Sequence, residues 1–217
     1  MILVAITLAC FLVVMEAANF SPVPTGVRKC STGIVGLNLL LDGGFPAGTI
    51  IMVHGTAVAG VDLAAWQFCH AQPGESGTYI SPEEMIEEEG ENSRMNPATL
   101  LGMMDGKRVV VDSLSAIIEQ YGIEQTLFLL SLAKENVREN NANLMFIVYS
   151  DVHSTMDMTR IMRIADVVIE FSTQEQQAEI QRTLAVHKIR GAAVPRRLLP
   201  FIITEGGIEA STTSRVV

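Results

Sequence analysis

Five aliphatic runs, TIIMVHG (49–55), GTYIS (77–81), RVVVDS (108–113), LMFIVYS (144–150) and ADVVIEF (165–171), recur along the chain with room for a helix between most of them. Each is short and nearly continuous in apolar residues, the pattern of strands buried on both faces of a parallel sheet. The segments between them switch to helical spacing. VDLAAWQFCHA follows the first run, GIEQTLFLLSLAKENVREN leads into the fourth and TMDMTRIMRIA into the fifth. Such alternation predicts an α/β fold with right-handed crossovers. The last third changes character: QRTLAVHKIRG (181–191) and RRLLPFIITEGGIEA (196–210) read as consecutive strands, so the sheet is expected to end in an antiparallel extension. No internal repeat or low-complexity tract is evident, and the acidic run EEMIEEEGE (83–91) reads as a solvated helix face.

A chain of 217 residues has room for one domain with a full core, which we place at 24–217, after an apolar segment and linker at 1–23. With 48% apolar and 18% charged residues it is globular in composition, and its formal charge of −9 disfavours nucleic acid and anionic membrane as partners. Cys10, Cys30 and Cys69 are odd in number and widely spaced. They read as small apolar fillers in a reducing, cytoplasmic compartment. The opening MILVAITLACFLVV lacks charge altogether. It is shorter than the roughly 20 apolar residues of a membrane span and has no positive n-region. A packed element, or a start upstream of Met15, suits it better than membrane attachment or export.

Between the first strand and its helix lies GTAVAGVD, Gly55 to Asp62. Its outline is G-x-x-x-x-G-K-[ST], in which glycines let backbone amides wrap a phosphate, the lysine reaches the β/γ-phosphates and the hydroxyl holds Mg²⁺. Gly55 and Gly60 keep the frame, but Val61 stands in the lysine's place and Asp62 in the hydroxyl's. Val58 replaces a central glycine with a β-branched residue, which opposes unusual dihedrals there. A frame without its cation is weak evidence of phosphate binding.

The flanks carry more. STGIVGLNLLLDGGFPAGTIIMVHG (31–55) resembles the segment that leads into the phosphate loop of the KaiC-like branch of RecA-superfamily ATPases. TYISPEE (78–84) is similar to that family's strand ending in a glutamate pair, KRVVVDSLSAII (107–118) to its Walker B strand, and HKIRGAAVPRRLLPFIITEGGIEA (187–210) to its K-x-R-G segment and C-terminal hairpin. The resemblance spans about Pro24 to Ala210 and implies a RecA-like three-layer α/β/α domain. It also implies roles: Glu83 and Glu84 as the pair that activates water, Asp112 as the Walker B acid, and Lys188 and Arg190 as residues that reach a neighbouring subunit. Between Glu91 and Lys107 the chain is shorter than in typical relatives, so a peripheral strand or helix is expected to be missing.

With the lysine and hydroxyl gone, the expectation is a pseudo-ATPase that binds no cofactor and serves as a scaffold or regulatory subunit, as a homo-oligomer or with a related ATPase. The alternative is an ATP-binding enzyme using ATP and Mg²⁺ through an atypical loop, although no lysine lies between Val53 and Gly106 to substitute. Simpler readings stand beside each residue. Asp112 could cap the turn after its strand, Glu83 and Glu84 could be solvated, and Lys188 and Arg190 could be surface charges. His54 reads as a packed strand-end residue, and Trp66 and Phe68 as core.

Overall fold

The computed structural model describes residues 28–72, 74, 77–89, 97–176 and 179–211. The 1–23 segment, with Cys10, lies outside them. Of the other cysteines, Cys69 is buried and Cys30 half-buried.

A short antiparallel pair, β1 (Lys29–Cys30) and β2 (Phe45–Pro46), flanks helix α1 (Val35–Leu40). The chain then runs through β3 (Thr49–Gly55), α2 (Val61–Cys69), β4 (Thr78–Ile80), α3 (Pro82–Glu89), α4 (Pro97–Met103), β5 (Arg108–Val111) and α5 (Leu114–Asn140). It continues with β6 (Asn143–Tyr149), α6 (Thr155–Ile164), β7 (Val167–Gln176), β8 (Glu179–Ile189), β9 (Leu199–Thr204) and β10 (Gly207–Ala210). Eight strands form one sheet in the order β10-β9-β8-β7-β3-β6-β5-β4. From β4 to β7 neighbours are parallel; β8, β9 and β10 join antiparallel. The expected mainly parallel sheet with an antiparallel end is therefore the observed one.

Strand alternation divides the core in two. Ile51 and Val53 of β3 point toward α1 and α2, packing with Ile34, Leu37, Val61, Ala65 and Phe68. Ile50 and Met52 point the other way, toward Leu114 and Leu129 of α5 and Ile161 of α6. Three layers result because both faces of a parallel sheet need an apolar cover.

One glycine of the segment before β3 serves packing. A Cβ on Gly36 would come within 2.2 Å of the Ala210 carbonyl oxygen, so only glycine lets α1 lie against β10.

Two expectations need correction. Trp66 is not core: it is 52% exposed and stacks on His70 with ring centroids 4.3 Å apart. The buried stripe of α2 runs through Val61, Ala64, Ala65, Phe68 and Cys69, and position 66 turns away from it, whereas Phe68 is buried as expected. The helical stretch from Gly122 is the second part of a longer element. Ser113 starts α5 by accepting from the Ala116 N–H at 3.2 Å, and Gly122, at φ 76° and ψ 166°, breaks its regular course.

Candidate functional site

The loop from Thr56 to Gly60 lies at the carboxyl end of β3, where ligands of open α/β sheets bind. Gly60 precedes α2 in a left-handed conformation (φ 87°), and a Cβ there would sit 3.1 Å from Cδ1 of Ile203 in the C-terminal hairpin. The backbone conformation favours glycine at this position. The Ala59 N–H is bonded to the Thr56 carbonyl at 3.0 Å, so the loop closes on itself as a turn and that amide does not face inward to a phosphate. Val58 carries no positive φ; its side chain is 73% exposed and the turn accommodates it.

Val61, in the lysine's place, is fully buried, with Cγ1 only 3.0 Å from where a Cβ on Gly55 would lie. Its side chain belongs to the core cluster between the sheet and α2. Asp62 is exposed in the first turn of α2, where a carboxylate complements the positive end of the helix dipole. The loop carries its own anion where a phosphate-binding helix would leave that end open.

Asp112, just after β5, accepts from the Tyr79 hydroxyl at 2.6 Å and lies 3.5 Å from that of Tyr149. Glu83 and Glu84 are exposed in the first turn of α3, and Glu83 accepts from the Ser113 hydroxyl at 3.3 Å. The sheet order brings Asp62, Asp112 and Glu83 to one end of β3, β4 and β5, and the two tyrosines register their combined field. Burial first, then the charges of Asp112, Asp62 and Glu83, push the Tyr149 hydroxyl up to about 12. Tyr79 is raised further, by burial, by its bond to Asp112 and by the Asp112 and Asp62 charges. The mouth of the loop is therefore electronegative.

Lys188 and Arg190 both make bonds within the chain. Lys188 Nζ donates to the carbonyls of Met162 and Arg163 at the end of α6, at 3.0 and 3.1 Å. Arg190 reaches Asp166 Oδ1 at 3.3 Å while its side chain stays 57% exposed. His54 is half-buried with Nδ1 3.5 Å from the Ser150 hydroxyl, and burial holds its imidazole below the ordinary histidine range against the opposing charge of Glu170.

Two buried charges at the opposite end of the sheet, where the parallel strands begin, escaped the sequence reading. Arg108 is 2% exposed at the start of β5. It donates to the Ser31 carbonyl at 2.7 Å and to that of Phe68 in the last turn of α2 at 2.8 Å, and it lies 4.7 Å over the Phe68 ring. Asp166, 1% exposed, accepts from the Ile50 N–H at 3.1 Å and faces Lys134, Arg138 and Arg190 at 3.2, 3.7 and 3.3 Å. A charge at the mouth of a strand was the only signal for either.

A mainly parallel sheet with β3 central, β6 between it and β5, β4 beyond, and an antiparallel end has the RecA-like fold. The chain belongs to the KaiC ATPase family, whose model matches residues 30–100 and 98–214. It is 24% identical to a UPF0273 protein of Thermotoga maritima over 84% of this chain and 95% of that one, and 23% identical to a UPF0273 protein of Pyrococcus furiosus over 84% and 93%. A 61-residue stretch is 39% identical to the circadian clock protein KaiC3 of Synechocystis, covering 27% of this chain but 12% of that protein. In fold, the crystal structure of a KaiC-like protein of Pyrococcus horikoshii superposes with a TM-score of 0.68 at 21% identity, over 85% of this chain and 99% of that one. Among the described residues no helix is long and apolar enough to cross a membrane.

Proposed function

We propose that this chain is a pseudo-ATPase of its family, a non-catalytic scaffold or regulatory subunit acting through ring- or filament-type subunit contacts. The observation that carries the reading is Val61, fully buried where a phosphate-directed lysine would stand. The residues present do not fit a Mg²⁺-nucleotide. The cation and the hydroxyl are missing, one loop amide is spent on the Thr56 carbonyl, and Asp112 is engaged by two tyrosine hydroxyls. A charge-assisted hydrogen bond is worth about 1.5–3 kcal/mol. A second anion about 4 Å from Asp62 adds a repulsion of about 4 kcal/mol at an effective dielectric of about 20. Together these weaken a phosphate chain by at least about a thousandfold.

A role in subunit contacts accords with the surface. Val35 and Leu39 of α1, Leu198, and Ile202 of β9 are between 60% and 75% exposed, and Leu39 and Leu198 line one depression with Leu40, Leu199 and Pro200. Exposed apolar groups gathered in this way mark association surfaces. Lys188 and Arg190, held from within by α6 and Asp166, would then present a fixed edge to a neighbouring copy or a related ATPase.

Titration calorimetry with Mg²⁺-ATP tests the reading. No saturable heat is expected at millimolar nucleotide, and a micromolar dissociation constant would overturn it in favour of an ATP-binding enzyme. Light scattering should find an assembly, alone or with a related ATPase; a strict monomer in both settings refutes the scaffold role.

A further inference from the structure

Three adjacent strands bring His54, Glu170 and His187 together at the carboxyl end of β3, on the sheet face away from α2. His54 and Glu170 are register partners across the parallel β3–β7 pair and so share a face. His187 stands at an irregularity in the β7–β8 pairing. Val168 pairs with Lys188, but Ile169 pairs with Val186, so His187 is an extra residue in β8. Alternation along β8 puts His187 on the same face as Ala185, which pairs with Glu170. There its Nε2 lies 2.6 Å from Glu170 Oε2. Bulges gather next to functional sites.

We propose that these residues form a binding site for a divalent cation of the zinc class. One ligand atom from each of the three lies within 4.8 Å of the other two. Tetrahedral zinc with bonds of about 2.0–2.2 Å needs ligand atoms about 3.3 Å apart, so closing the site takes side-chain adjustments of about 1.5 Å or less. Two imidazoles with one carboxylate suit zinc and its first-row neighbours; Mg²⁺ and Ca²⁺ prefer all-oxygen sets. The Ser150 hydroxyl beside His54 Nδ1 orients that ring, as outer partners of metal-bound histidines do. Glu170 and His187 are 39% and 49% exposed at the side chain, so solvent can supply a fourth ligand. An ion here would tie the β7–β8 arm to the strand that carries the loop, because His54 immediately precedes Gly55.

The test uses the full chain, stripped with a chelator and titrated with Zn²⁺ by calorimetry and with Co²⁺ by absorption. One equivalent is expected to bind, with a tetrahedral cobalt spectrum and no thiolate-to-cobalt band, which separates this site from Cys30 and Cys69. His54→Ala, Glu170→Gln and His187→Gln should each weaken binding at least tenfold, while His70→Ala leaves it unchanged. His187→Gln keeps a hydrogen-bond donor toward Glu170, so that variant retains the strand contact. Absence of saturable binding in the parent, a thiolate band, or one-equivalent binding that survives both histidine substitutions refutes the site.

Discussion

Replacing Asp166 with alanine removes the single acceptor on which the Ile50 N–H and three cations converge. The carboxylate is 1% exposed, so its loss cannot be made good by water without opening the core. Leaving the Ile50 amide at the start of β3 without a partner costs about 1–3 kcal/mol. Lys134, only 21% exposed and 3.2 Å away, loses its counter-charge in a poorly solvated position, the circumstance in which breaking a buried pair costs about 3–5 kcal/mol in all. Arg138 and Arg190 are 42% and 57% exposed, so water screens them and they add little. The expected total is a loss of about 3–5 kcal/mol, read as a lower urea midpoint at unchanged slope. Asp166→Asn keeps an acceptor for the Ile50 amide and should recover about 1–2 kcal/mol of this. An alanine variant within about 1 kcal/mol of the parent would refute the argument, and equal losses in the two variants would refute the assignment to the amide.

Arg108→Met keeps much of the side-chain volume but withdraws two charge-assisted bonds from the carbonyls of Ser31 and Phe68, so a loss of about 2–4 kcal/mol is expected by the same denaturation assay, and a neutral outcome would show that those carbonyls find other partners. The triple change Val58→Gly, Val61→Lys and Asp62→Thr supplies backbone freedom, a cation and a hydroxyl together. It should cost about 1.5–3 kcal/mol through the lost burial of Val61, yet yield measurable ATP binding with little hydrolysis by calorimetry and phosphate release. A folded triple variant that remains blind to ATP would mean that the closed turn, and not these three side chains, blocks the phosphate.

The hydrophobic pattern alone determined the five parallel strands in their order along the chain, helices between most of them and the antiparallel end, because burial on both sheet faces demands continuous apolar runs. Loss of the lysine and hydroxyl at Val61 and Asp62 was equally plain, being a matter of residue type at a fixed spacing. Sequence could not decide where side chains point when that depends on a distant partner. Trp66 looked like core because it is aromatic, but its angle on α2 turns it to solvent. Arg108 and Asp166 looked like charges at strand ends, and only the packing of β5 beneath α2 and of β7 beside β3 makes them the anchors of buried carbonyls and amides. Tertiary structure alone brought Asp62, Asp112 and Glu83 to one electronegative mouth from positions 21 and more residues apart. It likewise joined His54 to Glu170 and His187, since β3 and β7 are neighbours in the sheet although more than a hundred residues of chain separate them.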